Sequence, residues 1–262
     1  MSIRYTVDQG IARLEIARPE KRNALTQAMY TALADGLDAA AEDESVRAIL
    51  ISGQPGIFCA GNDLHDFMQA ASLGADSPVL RFMFGLARAE KPVVAAVGGD
   101  AVGIGCTLLL HCDLVYLAED ARLSMPFVSL GLVPEFASSL LVPLWAGHAR
   151  AAEKLLLGTP FSASEALAMG LATAVMPASQ VLEYSLSVAG RFRELPPGGV
   201  RETKRLLKRG QARLVEETIG EEARSFSARL GGPEVREAVA AFFEKRPPDF
   251  ARILQSCKPD TA

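Results

Sequence analysis

The chain has 262 residues, 49% of them hydrophobic and 22% charged, enough for one large domain that buries roughly three quarters of its extended surface. No apolar run reaches the ~18 residues that a membrane crossing needs, and a net charge of −4 argues against a nucleic-acid-binding surface while leaving room for a local basic patch. The opening segment carries no hydrophobic signal, and Cys59, Cys106, Cys112 and Cys257 show neither CxxC spacing nor a dense pattern, so reduced thiols and a cytoplasmic location are expected.

In chain order, the first element is a β-hairpin: Ala12, Leu14 and Ile16 face one way and Arg13 and Glu15 the other, after a turn at Asp8, Gln9 and Gly10. Thr26 is a good N-cap for a helix with apolar residues at Met29, Leu33 and Leu37 that ends before Arg47. The runs 48–51, 92–97 and 114–117 are short and apolar, as in strands buried on both faces. Strands alternating with helices at this spacing predict an α/β fold with largely parallel pairing. Helical patterns follow over 138–145, 149–157 and 163–169, the last opened by a capping box from Ser162 to Glu165. After the Pro/Gly-rich stretch 195–199, two or three more helices are expected up to Pro247.

Two glycine-rich turns about forty residues apart carry the chemistry: FCAGNDL at 58–64 and GGDAVGIGC at 98–106. Each leads from a β-like run into a helix-like one. Where two such turns converge, their backbone N–H groups and a helix N-terminus can hold an oxygen that becomes negative during reaction, with no charged side chain involved. The segments FCAGNDL and AVGIGCTLL, with ARPEKRNAL near Arg18, PFVSLGLVPEFASS near Glu135 and FFEKRPPDF near the end, resemble the crotonase (enoyl-CoA hydratase/isomerase) superfamily, whose members stabilise an acyl-CoA thioester enolate.

The resemblance covers almost the whole chain. It implies an α/β core over residues 1–195, a spiral of β-β-α units carrying an acyl-CoA site. Residues 196–262 would form a C-terminal helical region mediating trimer contacts, in a homotrimer or a dimer of trimers. Hydratases of the superfamily use two glutamates, at positions that match Thr107 and Phe127 here. Neither residue exchanges protons at neutral pH, so the pair that splits water is missing. Glu135 instead matches the single catalytic glutamate of peroxisomal-type Δ3-Δ2-enoyl-CoA isomerases, with Ala60 and Ile104 as the implied backbone donors. Contacts to CoA are implied at Arg22 to Ala24, Asp63 and Leu64, with Lys21, Arg22 and Lys245 near the nucleotide phosphates.

No membrane and no cofactor beyond the CoA of the substrate are expected. Three alternatives remain open on the residues alone. Glu135 can be a plain helix-start glutamate; the protein can be a hydratase; or it can be a non-catalytic acyl-CoA or macromolecule-binding module that kept the fold. His111, Cys112 and Asp113 are consecutive and cannot converge on one metal ion. His65, Asp66 and His148 read as surface positions.

Overall fold

The computed structural model of the chain describes residues 2–69, 74 and 77–256, with residues 67–69 and 254–256 described by backbone alone; Cys257 lies outside the described residues. The hairpin forms as the alternation predicts: β1 (Ile3–Asp8) pairs antiparallel with β2 (Ile11–Ile16), and Ala12, Leu14 and Ile16 are fully buried. Thr26 caps α1 (Gln27–Glu42) by accepting from the Met29 amide. After it come β3 (Ala48–Ser52), β4 (Gly56–Cys59), α2 (Leu64–Gln69) and α3 (Pro78–Ala87). Next are β5 (Val93–Val97), β6 (Gly99–Val102), the single turn α4 (Ile104–Thr107), β7 (Leu114–Ala118) and β8 (Arg122–Ser124). The chain continues through α5 (Ser138–Ala146), α6 (His148–Leu156), β9 (Phe161–Ser162), α7 (Ala163–Ala168), β10 (Ala174–Met176) and α8 (Ala178–Arg191). Four helices close it: α9 (Pro197–Lys208), α10 (Ala212–Leu230), α11 (Pro233–Glu244) and α12 (Phe250–Ser256).

The strands sort into two sheets, a six-stranded one in the order β1-β2-β3-β5-β7-β10 and a four-stranded one in the order β4-β6-β8-β9. Successive strand pairs β3/β4, β5/β6 and β7/β8 each give one strand to each sheet, in parallel with the equivalents before and after. That is the β-β spiral, and it explains why β3 and β5 are buried along their whole length. Ile49 and Ile51 face the main core, while Ala48 and Leu50 face a second layer closed by Val181, Val188 and Ala189 of α8.

One expectation changes. Gly98 and Gly99 do not form a turn: Gly99 starts β6, and a Cβ there would lie 2.1 Å from the Gly56 backbone on the paired strand, so the glycine is a close-approach residue. The C-terminal helices pack inward, with Ile219, Phe226, Leu230 and Val235 joining the main core.

Candidate active site

The parallel pairing of β4 with β6, from Gly56/Gly99 to Cys59/Ala101 with a bulge between Ile57 and Cys59, delivers the two glycine segments side by side. Gly61 is left-handed at φ 93, and a Cβ on it would lie 3.2 Å from the Val102 carbonyl oxygen; one on Gly105 would lie 2.6 Å from the Cys59 carbonyl oxygen. The two segments are therefore in backbone contact, as close as glycine permits.

On the outer edge of β4 runs the 22–25 segment, joined by hydrogen bonds from the Ala60 amide to the Arg22 carbonyl (3.1 Å), from Leu25 to Gly61 (2.8 Å) and from Asp63 to Leu25 (2.8 Å). This overturns the expected role of Ala60: its N–H is already spent on Arg22. In the parallel bridge between Leu25 and Asn62, the Gly61 carbonyl and the Asp63 amide face Leu25, so the Asn62 N–H points the other way. That is the side on which β6 lies and Gly103 and Ile104 follow. Among the described residues the Asn62 amide meets no backbone acceptor. Ile104 opens α4 after Gly103, whose φ of 55 and ψ of −122 suit only glycine; its amide is one of the donors that a helix start leaves unpaired. The amides of Asn62 and Ile104 are therefore left without a backbone acceptor among the described residues where the two segments meet. The Tyr30 hydroxyl, on α1, donates to the Asn62 side-chain oxygen at 2.5 Å and fixes that residue.

Glu135 lies in the loop between β8 and α5 and is 4% exposed. Its backbone surroundings are fully committed. The Ser138 hydroxyl donates to the Glu135 carbonyl at 2.6 Å, and Phe136 and Ala137 are both left-handed, at φ 58 and φ 56. The Phe136 ring stacks on His111 at 3.9 Å, and His111 Nε2 donates to the Phe136 carbonyl at 2.8 Å. Burial pushes the His111 imidazole down to about 3, so it is neutral and keeps a proton to donate.

The carboxyl itself is different, because Oε1 is buried and meets no hydrogen-bond partner among the described residues. Burial first, and the charge of Glu222 second, push Glu135 up to about 8. Its charge is felt in turn by Tyr30 and Cys59, which flank the first glycine segment. Glu135 does not serve as the cap of α5. The amides of Ala137 and Ser139 at that helix start are taken by Glu222 of α10, at 2.5 and 2.9 Å. Sequence reasoning missed both Asn62 and Glu222. Glu222 sits in the charged run EEAR with no local signal.

Thr107 and Phe127, the positions of the two missing glutamates, are both buried. Thr107 Oγ1 also lacks a partner among the described residues, and Phe127 belongs to the main core.

The expected CoA contacts divide. Arg22, Ala24, Asp63 and Leu64 gather around the first glycine segment: Arg18 bonds both the Ala24 carbonyl (2.9 Å) and Asp63 (2.8 Å), and Arg22 pairs with Asp100 (2.9 Å). Lys21 is exposed beside them. Lys245 caps the end of α11, two residues from Phe243, whose ring stacks on His65 of α2 at 4.4 Å. It has no ion pair with the Arg22 side among the described residues.

His111, Cys112 and Asp113 diverge. His111 packs on Phe136, the Cys112 thiol faces the Leu108 carbonyl, and Asp113 bonds the Val93 amide and Lys204. His65 and His148 are exposed, but Asp66 is not a plain surface residue, since it accepts from the Gln27 amide at the start of α1. No described helix is long and apolar enough to cross a membrane.

Main-chain amides without acceptors at the meeting of two glycine segments are an arrangement that can hold an oxygen turning negative during reaction, and the buried Glu135, with one oxygen unpartnered, is an acid of raised proton affinity. The profile described as "Enoyl-CoA hydratase/isomerase" matches residues 6–253, and the chain belongs to that family. Among characterised relatives, it is 33% identical over 245 residues to 2,3-dehydroadipyl-CoA hydratase of Escherichia coli strain K12, covering 92% of this chain and 95% of that protein. It is 35% identical over 253 residues to enoyl-CoA delta isomerase 2 of Rattus norvegicus, covering 94% of this chain and 64% of the relative. Among solved structures, Pseudomonas aeruginosa OdaA superposes with a TM-score of 0.90 at 49% identity, covering 92% of this chain and 98% of that one.

Proposed function

We propose that the protein isomerises 3-enoyl-CoA to 2-enoyl-CoA with Glu135 as the only proton carrier. The observation that carries this reading is the Glu135 carboxyl, buried, with one oxygen unpartnered and its proton affinity raised to about 8. A carboxylate of that basicity is far better matched to a carbon acid than an ordinary one. The thioester oxygen accepts from the Asn62 and Ile104 amides. Ionised Glu135 takes a proton from Cα, and the electron pair of that C–H bond spreads into a dienolate whose charge rests on the thioester oxygen. Glu135 then returns the proton at Cγ, leaving the conjugated 2-enoyl-CoA. Atoms and charge balance without a second acid, metal or redox partner.

Hydration requires a group to position and deprotonate water, and Thr107 and Phe127 supply no carboxylate for it. CoA is proposed to lie along the 22–24 segment and residues 63–64, with Lys21, Arg22 and Lys245 toward its phosphates. Assembly as a trimer through residues 196–262 is part of the same reading, supported by the exposure of Leu207 (80%) on α9; light scattering in solution tests it.

The function is tested by product analysis on 3-enoyl- and 2-enoyl-CoA esters. Isomerisation at least ~10-fold faster than hydration of crotonyl-CoA, a factor equal to ~1.4 kcal/mol of barrier, is the expected result. Hydration at a comparable rate defeats the assignment.

A further inference from the structure

We propose that Glu222, supplied by the C-terminal helix α10, is a positioning residue that holds the Glu135 loop in its working geometry by replacing Glu135 as the cap of α5. This rests on the reading of Glu135 as the base.

Glu222 lies on the buried face of α10, among Ile219, Ala223 and Phe226. Glu222 is buried, and its two oxygens accept from the Ala137 amide (2.5 Å), the Ser139 amide (2.9 Å) and the Ser139 hydroxyl (2.5 Å). Those donors begin at Ala137, the second of the consecutive left-handed residues Phe136 and Ala137, and end two residues beyond it. Each such non-glycine residue costs on the order of 1–3 kcal/mol and persists only when its surroundings over-determine it. Glu222 grips the turn from one side, and His111 grips it from the other through the Phe136 carbonyl.

Two carboxylates lie close to the start of α5, and a helix start attracts either one. Had Glu135 taken the amides, its charge would be stabilised and its basicity lowered. With the amides filled from α10, Glu135 keeps a free oxygen and acquires a like charge nearby. The charged and titratable groups facing the pair are Glu221 on α10, Tyr30 on α1 and Cys59 on β4. Burial raises the Glu222 carboxyl while its three donors pull against that rise, and the Glu222 charge in turn adds to the rise at Glu135.

The experiment compares Glu222→Gln, Glu222→Asp and Ser139→Ala with the parent protein. Circular dichroism and acyl-CoA binding check folding, and kcat and KM for a 3-enoyl-CoA are measured across pH. Glu222→Gln is expected to leave KM within ~3-fold and lower kcat by roughly 10- to 100-fold, the scale that a ~1 Å misplacement of a reacting group produces. The acid limb of its pH–rate profile moves to lower pH, because the like charge on Glu135 is gone. Glu222→Asp retains the charge and is expected to keep the limb in place while losing part of kcat. Ser139→Ala removes one of three donors and is expected to show a smaller loss of the same kind, and it serves as the folded variant if Glu222→Gln does not fold. A folded variant with lower thermal stability but unchanged kcat and pH profile makes Glu222 a mere helix cap and overturns the proposal. If the parent protein shows no isomerisation, the function above fails separately. The clamp is then read from the infrared band of the Glu135 carboxyl, with Glu135→Gln as blank: a titration unmoved by Glu222→Gln overturns it, and a downward shift supports it.

Discussion

Replacing Glu135 with glutamine keeps the outline of the side chain and removes its charge, and the structure predicts opposite effects on stability and turnover. The carboxyl is lifted from 4.5 to about 8, first by burial and then by the charge of Glu222. An unfolded chain ionises near the ordinary value. As pH rises from 4.5 the unfolded state releases a proton that the native state keeps, so native stability is complete below that pH and drains away until the folded group ionises near 8. At ~1.4 kcal/mol per pH unit this gap corresponds to at most about 5 kcal/mol. Glutamine titrates nowhere and escapes the loss. Urea unfolding at fixed protein concentration is therefore expected to give the two proteins equal stability within ~1 kcal/mol at pH 5, and an advantage of about 2–5 kcal/mol for Glu135→Gln at pH 9. Isomerisation by the variant should fall by at least ~100-fold, as loss of a general base does. Parallel stability–pH curves would refute the claim that this carboxyl is buried without a partner. Near-normal turnover would refute its role.

Gly105→Ala places a Cβ 2.6 Å from the Cys59 carbonyl oxygen, which forces the two glycine segments apart. A stability loss of roughly 1–3 kcal/mol and a fall in kcat of ~100-fold, the scale of one lost oxyanion donor, should both appear in unfolding and steady-state assays. Tyr30→Phe strips the hydroxyl that holds the Asn62 side chain. Leaving that oxygen without its donor should cost about 1–3 kcal/mol in urea titration, together with a measurable drop in kcat. Arg18→Met tests the outer brace of the same segment. Burial raises the Asp63 carboxyl, but its bonds with Arg18 and the Asp66 and His65 amides outweigh this and leave it below 3.8. The stability advantage of the parent over Arg18→Met should therefore be full above pH 3.8 and shrink as pH falls below it; a difference independent of pH would show the pair to be unimportant.

The large sheet was legible because β3, β5 and β7 are apolar runs of the right length, and α1 because Thr26 and the stripe of Met29, Leu33 and Leu37 speak in the same register. The small sheet was not. Its strands are two to four residues long, and Gly99 in β6 looks like turn punctuation until the backbone of Gly56 is seen against it. The resemblance pointed to Glu135, which is buried with one oxygen unpartnered, and to Ile104, which opens α4, but the amide of its other implied donor, Ala60, is bonded to Arg22. A sequence does not show which way an amide points, and the left-handed Gly61 breaks the alternation that would have placed Ala60 and Asn62 on one side. Glu222 was invisible for a plainer reason, since its partners lie 83 and 85 positions away.

The division of labour in this site follows from the spiral. Because β4, β6 and β8 are neighbours in one sheet, whatever follows each of them emerges at the same edge: the Asn62 amide after β4, the Ile104 amide after β6, and the Glu135 loop after β8. Main-chain groups follow directly from strand pairing, and the Tyr30 hydroxyl adds one brace through the Asn62 side chain. A side-chain acid on a loop has no such guarantee. Between Ser124 and Ser138 the chain makes one short 3₁₀ turn, and the residue after Glu135 is left-handed against its own preference. The fold meets that need by bringing helix α10 back from the far end of the chain: Glu222 fills the amides at the start of α5, and Oε1 of Glu135 stays buried without a hydrogen-bond partner among the described residues.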